Sequence, residues 1–282
     1  MSADFQPRSK RPALLDNPNA DRIRKVAALA GRSARRRSGE VLVEGPQAVR
    51  EAVRFCGKDL LDVYISQEVE QRDPQLLRDA LKATRWVHPM TEQVAKAMSP
   101  SAQGVAAVVK DFRTDGLPKV DWDFVVIMGQ TQDPGNAGNI IRAADAAGAD
   151  AVIACSGTVD VSSPKVVRAS AGSVFHLPSI VNVGFDEVTE WVKSRKMSLV
   201  AADGYGSVNL FDAQDGMELL DLAAPIAWVF GNEAHGFAQL DETVFDHSVS
   251  IPLGGHAESL NVSAAAAICL FATAKARHRM RV

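Results

Sequence analysis

In the second half of the chain, apolar residues gather into short continuous runs instead of alternating with polar ones. FVVIMG (124–129), DAVIAC (150–155), SLVAAD (198–203), PIAWVFG (225–231) and VSIPL (249–253) are the clearest. Unbroken runs of this length fit strands covered on both faces, which is the habit of parallel sheets. Between them, residues 137–147, 163–173 and 185–196 carry helical patterning. Repeated strand–helix units predict an α/β fold whose parallel sheet is covered by helices on both faces, with ligands at the carboxyl ends of the strands.

The first part of the chain repeats the alternation on a smaller scale. A capped helix is expected over 17–30, with Ile23, Val26, Ala27 and Leu29 as its apolar positions. GRSARRRSGE (31–40) then reads as a basic loop, and VLVEG (41–45) as a buried strand closed by glycine. A helix over 46–55, a strand over 59–66, a helix over 74–83 and a strand over 104–110 complete this series. DFRTDGLPKVDWD (111–123) is polar and broken by Gly116 and Pro118, which suits a linker. The expected division is a disordered tail over 1–15, a small α/β domain over 16–110, a linker over 111–120 and a larger α/β domain over 121–282.

The last stretch, IPLGGHAESLNVSAAAAICLFATAKAR (251–277), breaks at Gly254 and Gly255 and enters a helix near Ser259. That helix is apolar almost all round, which predicts burial. Asn261 and Ser263 stand in its first turn, where backbone N–H groups lack intrahelical partners. The pattern fits a ligand-facing terminus and, equally, a capped core helix behind an ordinary glycine turn.

Composition narrows the function classes. The chain is 46% hydrophobic and 23% charged, ordinary soluble material. No apolar run approaches the roughly 20 residues of a membrane span. The N-terminal residues lack the apolar core of a secretory signal, so a cytoplasmic location is expected. Cys56, Cys155 and Cys269 are far apart without CxxC spacing, and the six histidines form no HExxH pattern. Neither a disulfide framework nor a metal site is expected. Residues 1–40 hold ten Lys or Arg against four acids, although the whole chain carries −3. That separation fits a solvated basic face or a polyanion contact, and the cluster Arg32, Arg35, Arg36 and Arg37 points to nucleic acid.

Three loops follow predicted strands. In QTQDPGNAGNIIRAADAAGAD (130–150), Asp133-Pro134-Gly135 turns the chain, Asn136 can satisfy backbone groups, and Gly138 permits close approach. Arg142 lies one turn into an otherwise apolar helix, where it either pairs with an acid such as Asp145 or meets an anion. In VFGNEAHGF (229–237), Gly231 and Gly236 bracket Asn232, Glu233 and His235. The third loop opens the final helix, with Glu258, Leu260, Asn261 and Ser263. GxGxxG after the first strand, GxxxxGK[ST] and GxSxG are all missing, which removes the standard dinucleotide, P-loop and nucleophile-elbow readings.

Taken together, the three loops resemble the signature motifs of the SpoU/TrmH branch of the SPOUT methyltransferases. DPGNAGNIIRAADAAGAD matches the first motif at Asn136, Gly138 and Arg142; VFGNEAHGF matches the second at Gly231, Asn232, Glu233 and Gly236. IPLGGHAESLNVSAAAA matches the third at Glu258, Ser259, Leu260, Asn261 and Ser263, and SPKVVRASAGSVFHLP looks like the family's connecting segment. Ala234-His235 departs from the glycine and polar residue common after the motif glutamate. NPNADRIRKVAAL…RRRSGEVLVEGPQAV resembles the ribosomal-protein-like RNA-binding domain that many members carry in front.

The resemblance implies methyl transfer from S-adenosyl-L-methionine to a ribose 2′-hydroxyl of RNA, with rRNA favoured over tRNA. It also implies a C-terminal trefoil knot and a homodimer, beside the expectation from composition of no metal and no membrane. The cofactor would be held by Gly231, Asn232, Gly236, Ile251, Leu253, Leu260, Asn261 and Ser263. Arg142 would bind the neighbouring phosphate and stabilise the developing alkoxide, with Asn136, Glu233 and Asn261 orienting it and the ribose. A tRNA methyltransferase, an antibiotic-resistance rRNA methyltransferase and a non-catalytic RNA-binding protein are the alternatives.

Overall fold

The computed structural model describes residues 11–214, 220–231 and 242–281. The chain divides into two compact units, Met1–Asp111 and Phe112–Val282.

The first unit contains, in order, α1 (Asp21–Ala28), α2 (Arg32–Ser38), β1 (Glu40–Glu44), α3 (Pro46–Phe55), β2 (Leu60–Ser66), α4 (Gln67–Arg72), α5 (Pro74–Ala83), β3 (Val87–Met90), α6 (Glu92–Met98) and β4 (Val105–Lys110). Its sheet runs β1-β4-β2-β3, antiparallel except for the β2–β3 pair. Ile23 and Val26 of α1, Leu29 at its C-cap, and Val94 and Met98 of α6 share a core with Leu42, Tyr64 and Met90. On α5, Pro74 occupies the first turn and Asp73 accepts from Leu76 N, a start legible in the sequence.

Three expectations change here. The basic stretch after α1 is a helix, α2, and not a loop; arginine has high helix propensity, and one buried position suffices to dock the short segment. The first helix begins at Asp21, and Ala20 at its cap makes no side-chain bond. The last residue of the expected tail, Leu15, is part of the sheet edge, bonding Pro89 O at 2.9 Å and Thr91 N at 3.0 Å.

The second unit contains β5 (Arg113–Asp115), β6 (Phe124–Met128), α7 (Pro134–Ala147), β7 (Ala151–Cys155), α8 (Pro164–Ala169), β8 (Ser179–Val183), α9 (Phe185–Ser194), β9 (Ser198–Ala202), β10 (Val208–Asn209), α10 (Leu210–Gln214), β11 (Ile226–Phe230), β12 (His247–Ser250) and α11 (Val262–Arg281). Its sheet has the order β10-β12-β9-β11-β6-β7-β8-β5, with every pair parallel. All five residues of β6, β7 and β11 are buried, as their apolar runs require. Val188, Trp191 and Val192 of α9 pack on one face with Val125, Ile127, Ile153, Ala227 and Val229. α7 and α11 pack together on the other face, where Trp228 Nε1 donates to Thr273 Oγ1 of α11 at 2.9 Å.

The expected linker is partly sheet, since β5 pairs with β8. The final helix starts at Val262, three residues later than expected, because Asn261 caps it. Nor is it buried all round. Ala266, Cys269, Leu270 and Thr273 face the core, but Phe271 is 52% and Ile268 38% exposed.

The strand order also fixes where a ligand can sit. From β8 the chain returns across the sheet to β9, and β11 then inserts between β9 and β6. Such a reversal leaves a crevice beyond the carboxyl ends of the strands.

Candidate functional site

A cleft of about 780 Å³ opens at the carboxyl ends of β9, β11 and β12. Its walls are Ala202 to Tyr205 after β9, Phe230 and Gly231 at the end of β11, residues 249–253 after β12, and residues 258–262 leading into α11. The volume suits a nucleoside-sized ligand. Strand ends and the cap of α11 present main-chain N–H and C=O groups there, while Leu253 and Leu260 supply apolar rims, 40% and 36% exposed. This donor set fits an adenosyl and amino-acid ligand recognised largely through the backbone.

The loop that enters α11 is held by its cap. Asn261 Oδ1 accepts from Ser263 N at 2.9 Å and from Ser263 Oγ at 2.7 Å. Ala265 N closes the first helical bond to Asn261 O at 3.0 Å. The other end of the Asn261 amide reaches α7, where Nδ2 donates to Asn136 Oδ1 at 3.0 Å. Asn136 is placed by its own helix start, since its backbone N donates to the Asp133 cap at 2.8 Å with Pro134 in the first turn. Thus the first and third loops meet at the cleft.

Gly138 permits the expected close approach, and what approaches is the neighbouring helix α8. A Cβ there would lie 2.5 Å from Ala169 Cβ and 2.8 Å from both Ser170 N and Val166 O, so the glycine lets α7 and α8 pack. Arg142 follows four residues later on that side of α7 and is exposed. The expected alternative partner, Asp145, is engaged instead by His176 Nδ1 at 2.7 Å. Glu258 and Ser259 line the cleft, as do Ile251, Leu253 and Leu260. Asn232, Glu233 and Gly236, with His235, lie outside the described residues.

Two features escaped the sequence reading. Asp203, Gly204 and Tyr205 form part of the cleft wall, and Tyr205 is 97% exposed. Asp203 N donates to Val249 O at 2.9 Å, and Gly206 N returns to Asp203 O at 3.0 Å. A Cβ on Gly206 would meet the Ser248 and Val249 backbone at 2.6 Å, so this turn needs its glycine. A glycine pair just after an apolar run, AADGYG, was the available signal. The second feature is Arg277 at the far end of α11. It donates to Asp123 Oδ1 at 2.6 Å, Asp123 O at 2.8 Å and Ala224 O at 3.0 Å, tying α11 to the starts of β6 and β11.

Arg35 corrects the expected nucleic-acid cluster. It is 2% exposed, and its Nη1 donates to Leu29 O at 2.9 Å and Ala30 O at 2.8 Å, capping the end of α1. Arg32, Arg36 and Arg37 remain on the surface of α2.

Among the described residues no cluster of three metal-ligating side chains occurs, and no helix is long and apolar enough to cross a membrane. Burial pushes the thiols of Cys155 and Cys269 up to about 12, which suits packing and not nucleophilic attack.

Comparison with known proteins gives two family matches. Residues 123–271 match the SpoU rRNA Methylase family, and residues 42–114 match an RNA 2′-O ribose methyltransferase substrate-binding domain. The chain is 33% identical to a 23S rRNA (uridine(2479)-2′-O)-methyltransferase of Streptomyces viridochromogenes, covering 89% of this chain and 88% of that one. It is 29% identical to a 23S rRNA (guanosine-2′-O-)-methyltransferase of Bordetella pertussis, over 84% and 97% of the two chains. Among solved structures, the SpoU methyltransferase AviRb from S. viridochromogenes in complex with AdoMet superposes with a TM-score of 0.76 at 32% identity, covering 93% of this chain and all of that one. A crystal structure of an RNA 2′-O ribose methyltransferase gives 0.78 at 27% identity, covering 94% and 100%.

Proposed function

The chain belongs to the SpoU rRNA Methylase family, and from that premise we propose that it transfers a methyl group to a ribose 2′-hydroxyl of large-subunit rRNA. S-adenosyl-L-methionine, when bound, would supply an electrophilic methyl group for the 2′-oxygen, with S-adenosylhomocysteine as the leaving group and the hydroxyl proton passing to water. The observation that carries the reading is the bond from Asn261, in the cleft wall, to Asn136 at the head of the helix bearing Arg142. It ties the cofactor-sized cleft to the start of the helix that bears Arg142.

Gly231, Ile251, Leu253, Leu260, Asn261 and Ser263 hold the cofactor, with Asn232 and Gly236 assigned by the motif match. Arg142 binds the phosphate beside the reacting ribose and stabilises the alkoxide as it develops, since a guanidinium is a poor base and a strong anion partner. Asn136 and Asn261 fix the helix starts that aim it, and Glu233 is assigned to the same task. Holding oxygen and methyl in line supplies much of the rate.

Residues 16–110 serve as the RNA substrate-binding domain, with Arg32, Arg36 and Arg37 as phosphate contacts, and residues 121–282 as the methyltransferase domain. A C-terminal trefoil knot belongs to this reading on the family resemblance alone. A homodimer is supported by the exposed Ile268 and Phe271 on α11. A cytoplasmic location follows from an rRNA substrate.

The test uses S-adenosylmethionine with a labelled methyl group and unmodified rRNA and tRNA as separate substrates. Label in alkali-resistant dinucleotides of rRNA is the expected result. Label released as base-modified mononucleotides would refute the ribose assignment, and label in tRNA alone would move the substrate class.

A further inference from the structure

The first unit carries an aromatic and arginine surface that the methyl-transfer cleft does not use. Trp86, immediately before the edge strand β3, is 44% exposed. The Arg85 guanidinium lies over its ring, 4.7 Å from the centroid. Behind it, on the same face of the sheet, the buried His88 ring runs nearly parallel to Trp86, at an interplanar angle of 9°. Tyr64 on β2 then stacks on His88 with centroids 5.0 Å apart. His88 is fixed by Asp62 Oδ1 at 2.6 Å, and Arg22 Nη1 from α1 lies 3.2 Å from its Nδ1.

The backbone under Trp86 is held as firmly as its neighbours. Val63 N donates to Trp86 O at 2.9 Å, Trp86 N donates to Thr84 Oγ1 at 3.2 Å, and Thr84 N closes α5 on Ala80 O at 2.9 Å. A half-exposed indole on a rigid mount presents a large flat face at little entropic cost. By sequence the first unit is net basic, with 19 Lys and Arg against 14 Asp and Glu, while the second has 12 against 20.

We propose that Trp86, with Arg85 over its ring and Arg22 on the stacked His88 behind it, is a platform on which an unpaired nucleobase of the RNA substrate stacks. The inference rests on RNA being the substrate, and it deepens that reading by naming a recognition surface and its ligand. Every base has a π-face, so an indole accepts any of them, and the two guanidinium groups can meet the adjoining phosphates or stack in turn. Single-stranded loops and bulges, whose bases are free to splay out, are the RNA elements that fit.

Binding of the full-length protein to unmodified large-subunit rRNA is measured for Trp86→Ala, Trp86→Phe and Arg85→Gln over a range of salt. Trp86→Ala should bind about tenfold more weakly, and Trp86→Phe within about threefold of the parent, since a ring is retained. Arg85→Gln should flatten the log affinity–log salt slope by about one. S-adenosylmethionine affinity and turnover at saturating RNA should not move, so the defect falls on KM. Trp86→Ala with the parent's RNA affinity and melting temperature overturns the proposal. If that variant does not fold, fluorescence decides: a single-stranded rRNA oligonucleotide must quench the parent more than Trp86→Phe, and equal quenching overturns the proposal. Trp86-dependent RNA binding without methyl transfer would sink the enzymatic reading and leave the platform standing.

Discussion

Asn261 Nδ2 donates to Asn136 Oδ1 at 3.0 Å, joining the first turns of two helices that are 125 residues apart in the chain. The same Asn261 caps its own helix through Oδ1, so one side chain fixes α11 and ties it to α7. Replacing Asn261 by Ala removes both functions, and loss of the cap alone costs about 1 kcal/mol of stability. Asn136→Ala removes the bridge and leaves the α11 cap in place. Asn261→Ala should therefore melt earlier than Asn136→Ala in denaturant titrations, while both lower kcat. Full additivity of the two kcat losses would show that the pair does not act as a unit.

Gly138 within α7 and Gly148 at its C-cap are needed for different reasons. At Gly138 the obstacles to a Cβ include Ser170 N and Val166 O at 2.8 Å, which are backbone atoms and cannot rotate aside. Gly148 has open space around it but a φ of +78° at the helix end. Ala at 138 gains about 1 kcal/mol of helix propensity, against an overpacking cost of about 1–3 kcal/mol, and should be destabilising on balance. Ala at 148 should cost about 1 kcal/mol through backbone strain alone. Urea midpoints measure both, and only the Gly138 variant should also disturb activity, because it separates α7 from α8.

How much of this was legible in the sequence depended on whether a signal was local. The strands β6, β7 and β11 could be read because burial on both faces leaves an unbroken apolar run. The start of α7 could be read because Asp133 and Pro134 are local capping chemistry. By contrast, β3 is VHPM, a four-residue edge strand containing proline, and carries almost no strand signal. The burial of Arg35 depends on where the carbonyls of α1 end, and the meeting of Asn136 with Asn261 depends on strand order. No periodicity reports either. The motif resemblance brought Asn136 and Asn261 together as a set, but the bond between them is a fact of topology.

Arg142 is exposed on α7, and its neighbour Asp145 is already paired with His176. Arg142→Ala should lower kcat by roughly 10²–10³, the cost of losing a group aimed at developing charge. S-adenosylmethionine binding by calorimetry should be nearly unchanged, because the side chain does not line the cleft. Loss of cofactor binding with residual turnover intact would reverse the assignment.

The buried thiols make a prediction about pH. Burial raises Cys155 and Cys269 from 9.0 to about 12, so between those values the native state keeps protons that the unfolded chain has released. Stability from these groups is complete below pH 9 and falls as pH rises toward 12, by at most about 1.4 kcal/mol per pH unit for each thiol. Cys269→Ala should make the alkaline limb of a stability–pH curve shallower. In the native protein at pH 8, both thiols should resist a disulfide-exchange reagent that modifies them readily in urea.

The arginines of α2 separate into a structural group and a surface group, and charge reversal distinguishes them. Arg35 caps α1 with two hydrogen bonds at 2.9 and 2.8 Å and is 2% exposed, so Arg35→Ala strips this donor from the buried Leu29 carbonyl and from the Ala30 carbonyl. That should cost about 1.5–3 kcal/mol of stability. Any loss of RNA affinity should follow unfolding and vanish under conditions where the variant is folded. Arg36 and Arg37 lie on the exposed side of the same helix. The double variant Arg36→Glu and Arg37→Glu should keep the parent's melting temperature and bind RNA more weakly, with a flatter dependence on salt. If Arg35→Ala folds normally yet loses RNA affinity, while the double variant binds like the parent, the basic helix contacts RNA by a route its geometry does not support.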